Sequence, residues 1–179
     1  VDIDGTLAMA SAVTVSGTSD IDGTLAIGAT TYNADGAFDA TNATIDFTGA
    51  GTLALSSTVT SIGSDLDNSL GTVIYDGTSA QTVRAPSSGA YYNLTIENAS
   101  TKTAGGNLTV AGVLTTEAEA SCVLDLSTYD LNVAGNLTVG QEGGLDASDA
   151  ACAVTFTGNS TVTHAGSIES TTTTASGSN

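Results

Sequence analysis

The segment Asp2-Ile3-Asp4-Gly5-Thr6-Leu7-Ala8-Met9 returns almost unchanged as Asp20-Ile21-Asp22-Gly23-Thr24-Leu25-Ala26-Ile27, 18 residues later. That repeat constrains the fold more than any other feature. A unit so short cannot bury its own apolar face, so it must stack on its copies. A second pattern, Gly106-Asn107-Leu108-Thr109-Val110, returns as Gly135-Asn136-Leu137-Thr138-Val139 at a spacing of 29. A degenerate third copy, Gly158-Asn159-Ser160-Thr161-Val162, follows 23 residues further on. Within the units, apolar residues alternate with Thr or Asn, as in Leu94-Thr95-Ile96, Leu131-Asn132-Val133 and Val154-Thr155-Phe156. A period of two describes a half-buried strand. Short strands, Gly/Asn/Asp corners and near-identical units predict an all-β chain wound as a parallel β-solenoid. A β-sandwich is the alternative, but its strands have no need of equivalent residues at equivalent positions.

Composition agrees. The chain of 179 residues holds 31 Thr and 20 Ser against five Glu, one Lys and one Arg. β-Branched residues suit a pleated surface, and good helix formers are scarce. Only Thr116-Glu117-Ala118-Glu119-Ala120 has helical character, enough for at most one turn. The predicted organisation is one solenoid domain over 1–168: Asp-Gly-Thr-Leu repeats over 1–57, a less regular stretch over 58–90 around Pro86, and Gly-Asn-Leu-Thr-Val repeats over 91–168. Residues 169–179 read as a Ser/Thr-rich tail or a donated strand.

The net charge of −17 narrows the partners. With Arg84 and Lys102 as the only fixed side-chain cations, binding to nucleic acid or anionic lipid by counterion release is excluded. No apolar run approaches the roughly 20 residues of a membrane span, so no membrane insertion is expected.

Candidate sites follow from the same residues. Stacking of the first two repeats would bring Asp2, Asp4, Asp20 and Asp22 to within about 5 Å, close enough for repulsion to favour a bound calcium ion. A solvated acidic face is the other reading. Cys122 and Cys152 lie 16 and 17 residues after Gly106 and Gly135, so stacked coils would bring them near disulfide range, or leave them as two buried thiols in a core ladder. Asn42, Asn93, Asn98, Asn107, Asn136 and Asn159 sit in Asn-X-Ser/Thr sequons, as glycan acceptors or as corner residues. Thr58-Val59-Thr60, Thr101-Lys102-Thr103, Thr155-Phe156-Thr157 and Thr161-Val162-Thr163 have the spacing of a water-ordering array without its fixed period. No catalytic constellation is legible. The acids are not paired, and His164 has only Glu169 nearby in sequence and no nucleophile beside it. No cofactor other than calcium is expected.

At Tyr91-Tyr92-Asn93-Leu94-Thr95-Ile96, Gly106-Asn107-Leu108-Thr109-Val110 and Tyr129-Asp130-Leu131-Asn132-Val133 the chain resembles repeats of large bacterial surface proteins. Val123-Leu124-Asp125-Leu126 is likewise similar to segments of autotransporter and filamentous-haemagglutinin-like adhesins. The likeness covers roughly residues 70–165 and implies a secreted right-handed β-helix used as a stalk, adhesin or surface fibre. It carries over no catalytic residue.

A solenoid exposes an unpaired strand at each end. Either the chain is a piece of a longer repetitive protein, or its open ends pair with neighbours. The expected function is therefore that of a non-catalytic structural protein of the cell exterior, a homo-polymer joined by end-to-end or strand-exchange contacts. A stalk that binds a host or carbohydrate ligand is the alternative, and a degenerate polysaccharide-active β-helix the third reading.

Overall fold

Each apolar–Thr–apolar stretch becomes a strand and each Gly, Asn or Asp cluster becomes a corner. In the computed structural model, which describes residues 1–67, 69–157, 161–170 and 173–176, these strands wind as a parallel β-solenoid of about 8 turns. Among the described residues no helix forms; Thr116 ends a strand and 117–122 is a corner.

One face is continuous along the whole molecule. Its eight parallel strands are Val13–Val15, Thr31–Ala34, Thr52–Leu55, Thr72–Tyr75, Asn93–Ile96, Leu114–Thr116, Leu137–Val139 and Val162–His164. This spine sends two columns inward, Tyr32–Leu53–Val73–Leu94–Leu114–Leu137 and Val15–Ala34–Leu55–Tyr75–Ile96–Thr116–Val139, all buried. Each fully buried Leu or Ile contributes about 1.5–3 kcal/mol of transfer free energy. Stacking like on like is what converts a short repeat into a core.

The two flanking faces are interrupted half-way. The first comprises Asp2–Ile3, Ser19–Ile21, Phe38–Asp39 and Val59–Ser61, and then a new sheet of Gln81–Val83, Thr101–Ala104, Val123–Asp125, Gly144–Ala147 and Ser167–Ser170. The second comprises Thr6–Met9, Thr24–Ile27, Thr44–Phe47 and Asp65–Leu66, and resumes as Leu108–Val110, Leu131–Val133, Val154–Thr157 and Thr173–Ser176. Across the second break only single bridges, Leu66 to Gly89 and Tyr91 to Val110, carry the pairing. Two buried phenols occupy the transition. Tyr75 and Tyr91 hydroxyls lie 3.1 Å apart, the Arg84 amide donates to Tyr75 Oη, and Tyr91 Oη donates to the Arg84 carbonyl. Burial pushes the Tyr75 phenol up to about 12, so the pair is neutral at ordinary pH.

Three sequence expectations are corrected. The 29-residue spacing is not the coil period. Leu108-Thr109-Val110 pairs with Leu131-Asn132-Val133, whereas Leu137-Thr138-Val139 lies on the spine against Leu114-Thr115-Thr116. Neighbouring faces impose the same apolar–Thr–apolar demand, so the motif reports what a face needs and not one lap of the chain. Second, of the expected tail or donated strand over 169–179, residues 169–170 and 173–176 are paired within the chain's own solenoid. Ser167–Ser170 and Thr173–Ser176 pair in parallel with Gly144–Ala147 and Val154–Thr157 of the same chain. Third, Cys122 and Cys152 do not stack. Cys122 precedes the Val123–Asp125 strand of the first flank and Cys152 precedes the Val154–Thr157 strand of the second, so they occupy different corners as buried free thiols.

Candidate functional site

Outward strand positions carry the acids, and the register stacks them. Asp2 pairs with Asp20, as the repeat predicts, and Asp20 pairs in turn with Asp39. On the continuation of that face Asp125 pairs with Asp146 and Asp146 with Glu169. Asp4 and Asp22 follow at the next corner, both exposed. These carboxylates stand in single file at about the 4.8 Å strand spacing. Among the described residues no three metal-ligating side chains converge as a metal site would need. The geometry fits a solvated acidic column whose repulsion is screened by salt. The spine differs: its outward strand positions, Thr14, Asn33, Ala54, Ile74, Thr95, Thr115, Thr138 and Thr163 among them, carry no charge.

Where the chain leaves the spine, a further column forms. Asp76, Glu97 and Glu117 each follow the last spine residue of successive coils. The Ser56 hydroxyl donates to Asp76 Oδ1 at 2.8 Å. Partial burial holds the Glu97 carboxyl above its ordinary 4.5, and repulsion from Glu117, Asp76 and Glu119 raises it further, with Lys102 opposing. A carboxyl whose folded value is raised binds its proton more tightly in the fold than in the unfolded chain. Its contribution is therefore fully present below pH 4.5 and lost as pH rises through the raised value. Glu97→Gln is expected to melt about 1–2 °C above wild type at pH 7 and level with it at pH 4, which thermal melts at the two pH values check.

Beneath that column lies the one wholly buried basic side chain among the described residues. Lys102 is wholly buried, and its Nζ donates to the carbonyls of Gly77 and Glu97 at 2.7 Å each, to that of Asn98 at 3.4 Å, and to Ser100 Oγ. Desolvation lowers its basicity, the nearby acids opposing. Gln81, its register partner, donates from Nε2 to the carbonyls of Leu55 and Ser57 and accepts the Gly77 amide. The two side chains satisfy corner groups that no strand can reach. Sequence reading counted Lys102 only as one of two fixed cations and gave it no place in the interior. The signal was its phase: Lys102 and Ala104 share the inward side of Thr101–Ala104.

Asparagines at corners are also structural. The side-chain oxygens of Asn93, Asn107 and Asn136 accept the amides of Val113, Asp130 and Thr161 one coil on. Asn42 and Asn98 hold left-handed backbone, with φ of 64° and 63°. Asn42, Asn107 and Asn136 are exposed, and Asn159 lies outside the described residues. The four Thr-X-Thr motifs scatter over three faces: 58–60 and 101–103 on the first flank, 155–157 on the second and 161–163 on the spine. They form no common array. His164 pairs through its backbone with Val139 on the spine.

A hollow lies where the second flank breaks off. It is an open groove of about 590 Å³ lined by Asp46, Asp65, Asp67 and Ser88, with Asp67 Oδ1 engaged by the amide and hydroxyl of Ser69. Compared with protein-family models, curated proteins and solved structures, the chain matches none. Among the described residues no helix is long and apolar enough to cross a membrane.

Proposed function

We propose that the chain is a non-catalytic structural protein of the cell exterior, one unit of a filament built head to tail. One observation carries the reading: the paired strands run parallel with like residues stacked coil on coil, an arrangement that extends by adding coils. The first coil, Asp2–Ile3, Thr6–Met9 and Val13–Val15, is paired along one edge only, to the coil that follows. Its core residues Leu7, Met9 and Val13 are only partly covered. At the opposite end Val162–His164, Ser167–Ser170 and Thr173–Ser176 pair only with the coil before them.

All strands run parallel, and the same three faces occur at both ends in the same order. Laying the last coil of one copy under the first coil of the next would continue each ladder without reversal. Such a head-to-tail contact uses two different surfaces and does not close, so it propagates as a filament. The acidic columns on the flanks would discourage lateral sticking. The resemblance to surface-adhesin repeats and the Thr-rich, lysine-poor composition support an exterior location.

A second reading, a stalk or adhesive segment that takes a host or carbohydrate ligand, is favoured by the groove beside Asp65 and Asp67. Negative-stain microscopy of the isolated chain tests the first reading. Unbranched filaments that lengthen with protein concentration are expected, and single particles at every concentration would contradict it.

A further inference from the structure

The acids of this chain are sorted by face, and one face is spared. None of the 19 Asp and Glu residues, and neither Arg84 nor Lys102, falls in the eight strands of the spine. The first flank carries Asp2, Asp20, Asp39, Asp125, Asp146 and Glu169 on its strands, and the second carries Asp46 and Asp65. Asp35, Asp76, Glu97 and Glu117 stand one residue beyond spine strands, at the corner where the chain turns away. Among the described residues the spine is also the one face whose pairing continues through all eight coils.

Register orders the outward side of this face. Thr31, Thr52, Thr72 and Asn93 form one ladder. Ala54, Ile74, Thr95, Thr115, Thr138 and Thr163 form a second beside it. Ala54 apart, each is at least partly exposed. The side chains are short and mostly β-branched, which suits packing against another pleated surface.

Charge decides what can occupy such a face. Two flanks brought together would set acid columns about 10 Å apart, the spacing of packed sheets and comparable with the screening length at physiological salt. A cationic partner gains most on those acidic flanks, and a polyanion is repelled by the whole chain. The pairing of two copies that sets no carboxylate-bearing strand against another is spine on spine. From this juxtaposition we infer that the spine is a docking surface for the spine of a second copy, the two sheets packing face to face about a two-fold axis. Eight strands of up to four residues give a face of roughly 34 Å by 13 Å. A pair would bury on the order of 900 Å², the range of weak, reversible contacts. The contact uses a side of the solenoid and none of its ends, so it is independent of head-to-tail growth. Within a filament it would hold two strands side by side.

Sedimentation equilibrium of the full chain, below any concentration at which filaments form, tests the contact. Wild type is expected to dimerise reversibly, and more tightly as salt rises from about 0.05 M to about 0.3 M, because each copy carries a net charge of −17. Thr95→Asp, on the spine, should raise the dissociation constant at least tenfold. Thr103→Asp adds the same charge on the outward side of a first-flank strand and should change it less than twofold. Circular dichroism checks that both variants are folded, and Thr138→Asp, on the same ladder as Thr95, replaces the first should it unfold. Wild type that stays monomeric at every concentration and salt overturns the proposal. Equal weakening by Thr95→Asp and Thr103→Asp also overturns it, since net charge alone would then govern. Filaments without a dimer, unchanged by Thr95→Asp, overturn the spine contact and leave head-to-tail growth standing. A monomer that binds an insoluble neutral polysaccharide through Thr95 would assign the face to that surface and overturn the second copy.

Discussion

Lys102→Met is expected to lower the unfolding free energy by about 3 kcal/mol, a fall in melting temperature of about 6–12 °C for a chain of this size. The change keeps length and apolar stem but removes the donor. Gly77 and Glu97 then hold carbonyls that lose a 2.7 Å bond in a region closed to water. Each buried acceptor left without a partner costs about 1–3 kcal/mol, and relief from desolvating an ammonium offsets part of the total. Because Lys102 reaches corners of two successive coils, the damage should spread to Gln81, which holds the Gly77 amide. Thr103→Met, on the outward side of the same strand, is the control and should shift the midpoint of urea unfolding little. Equal midpoints for the two variants would contradict the buried-strut account.

Gly71→Val should be at least as damaging, by about 4 kcal/mol, and should leave little folded chain at 37 °C. Gly71 has φ of +79°, which a β-branched residue adopts only at a cost of about 1–2 kcal/mol or more. The second cause is space. A Cβ there would lie 2.2 Å from Phe47 Cδ1 and 2.3 Å from Cγ, and the Phe47 ring is itself buried in the core. Overpacking of a closed core costs a further 1–3 kcal/mol or so. Circular dichroism melts of Gly71→Val beside wild type measure the loss. A melting temperature within a few degrees of wild type would show that the corner is not as tight as described.

Much of this architecture is legible in the residues because a solenoid imposes the same local demand on every lap. Ile3 over Ile21 and Asp2 over Asp20 follow from an 18-residue repeat with no insertion. Alternation in Leu94-Thr95-Ile96 separates inward from outward positions, since side-chain direction in a strand has a period of two. What alternation does not encode is which face a strand occupies. Leu108-Thr109-Val110 and Leu137-Thr138-Val139 are identical in sequence and lie on different faces of successive coils, because both faces need two apolar residues around an outward Thr. The same blindness made Cys122 and Cys152 look equivalent when they stand at different corners.

Residue class misled in two further places. Lys102 reads only as a fixed cation until its phase with Ala104 is taken seriously. Residues 169–179 read as a Ser/Thr-rich tail or a donated strand, yet Ser167–Ser170 and Thr173–Ser176 complete a coil once a stacked neighbour supplies the hydrogen bonds.

The head-to-tail arrangement can be read directly from a covalent trap. Asp2 and Glu169 point outward on the same side of the solenoid, in its first and last coils, so within one chain they stand apart by about eight strand spacings, or roughly 38 Å. A chain carrying Asp2→Cys and Glu169→Cys therefore cannot join them internally without unwinding. Mild oxidation of the assembled protein, resolved on a denaturing gel without reductant, is predicted to give a regular ladder of dimers, trimers and higher oligomers that collapses on reduction, while each single variant stops at dimer. A double variant that remains monomeric under oxidation, at concentrations where the wild-type chain assembles, would contradict head-to-tail assembly.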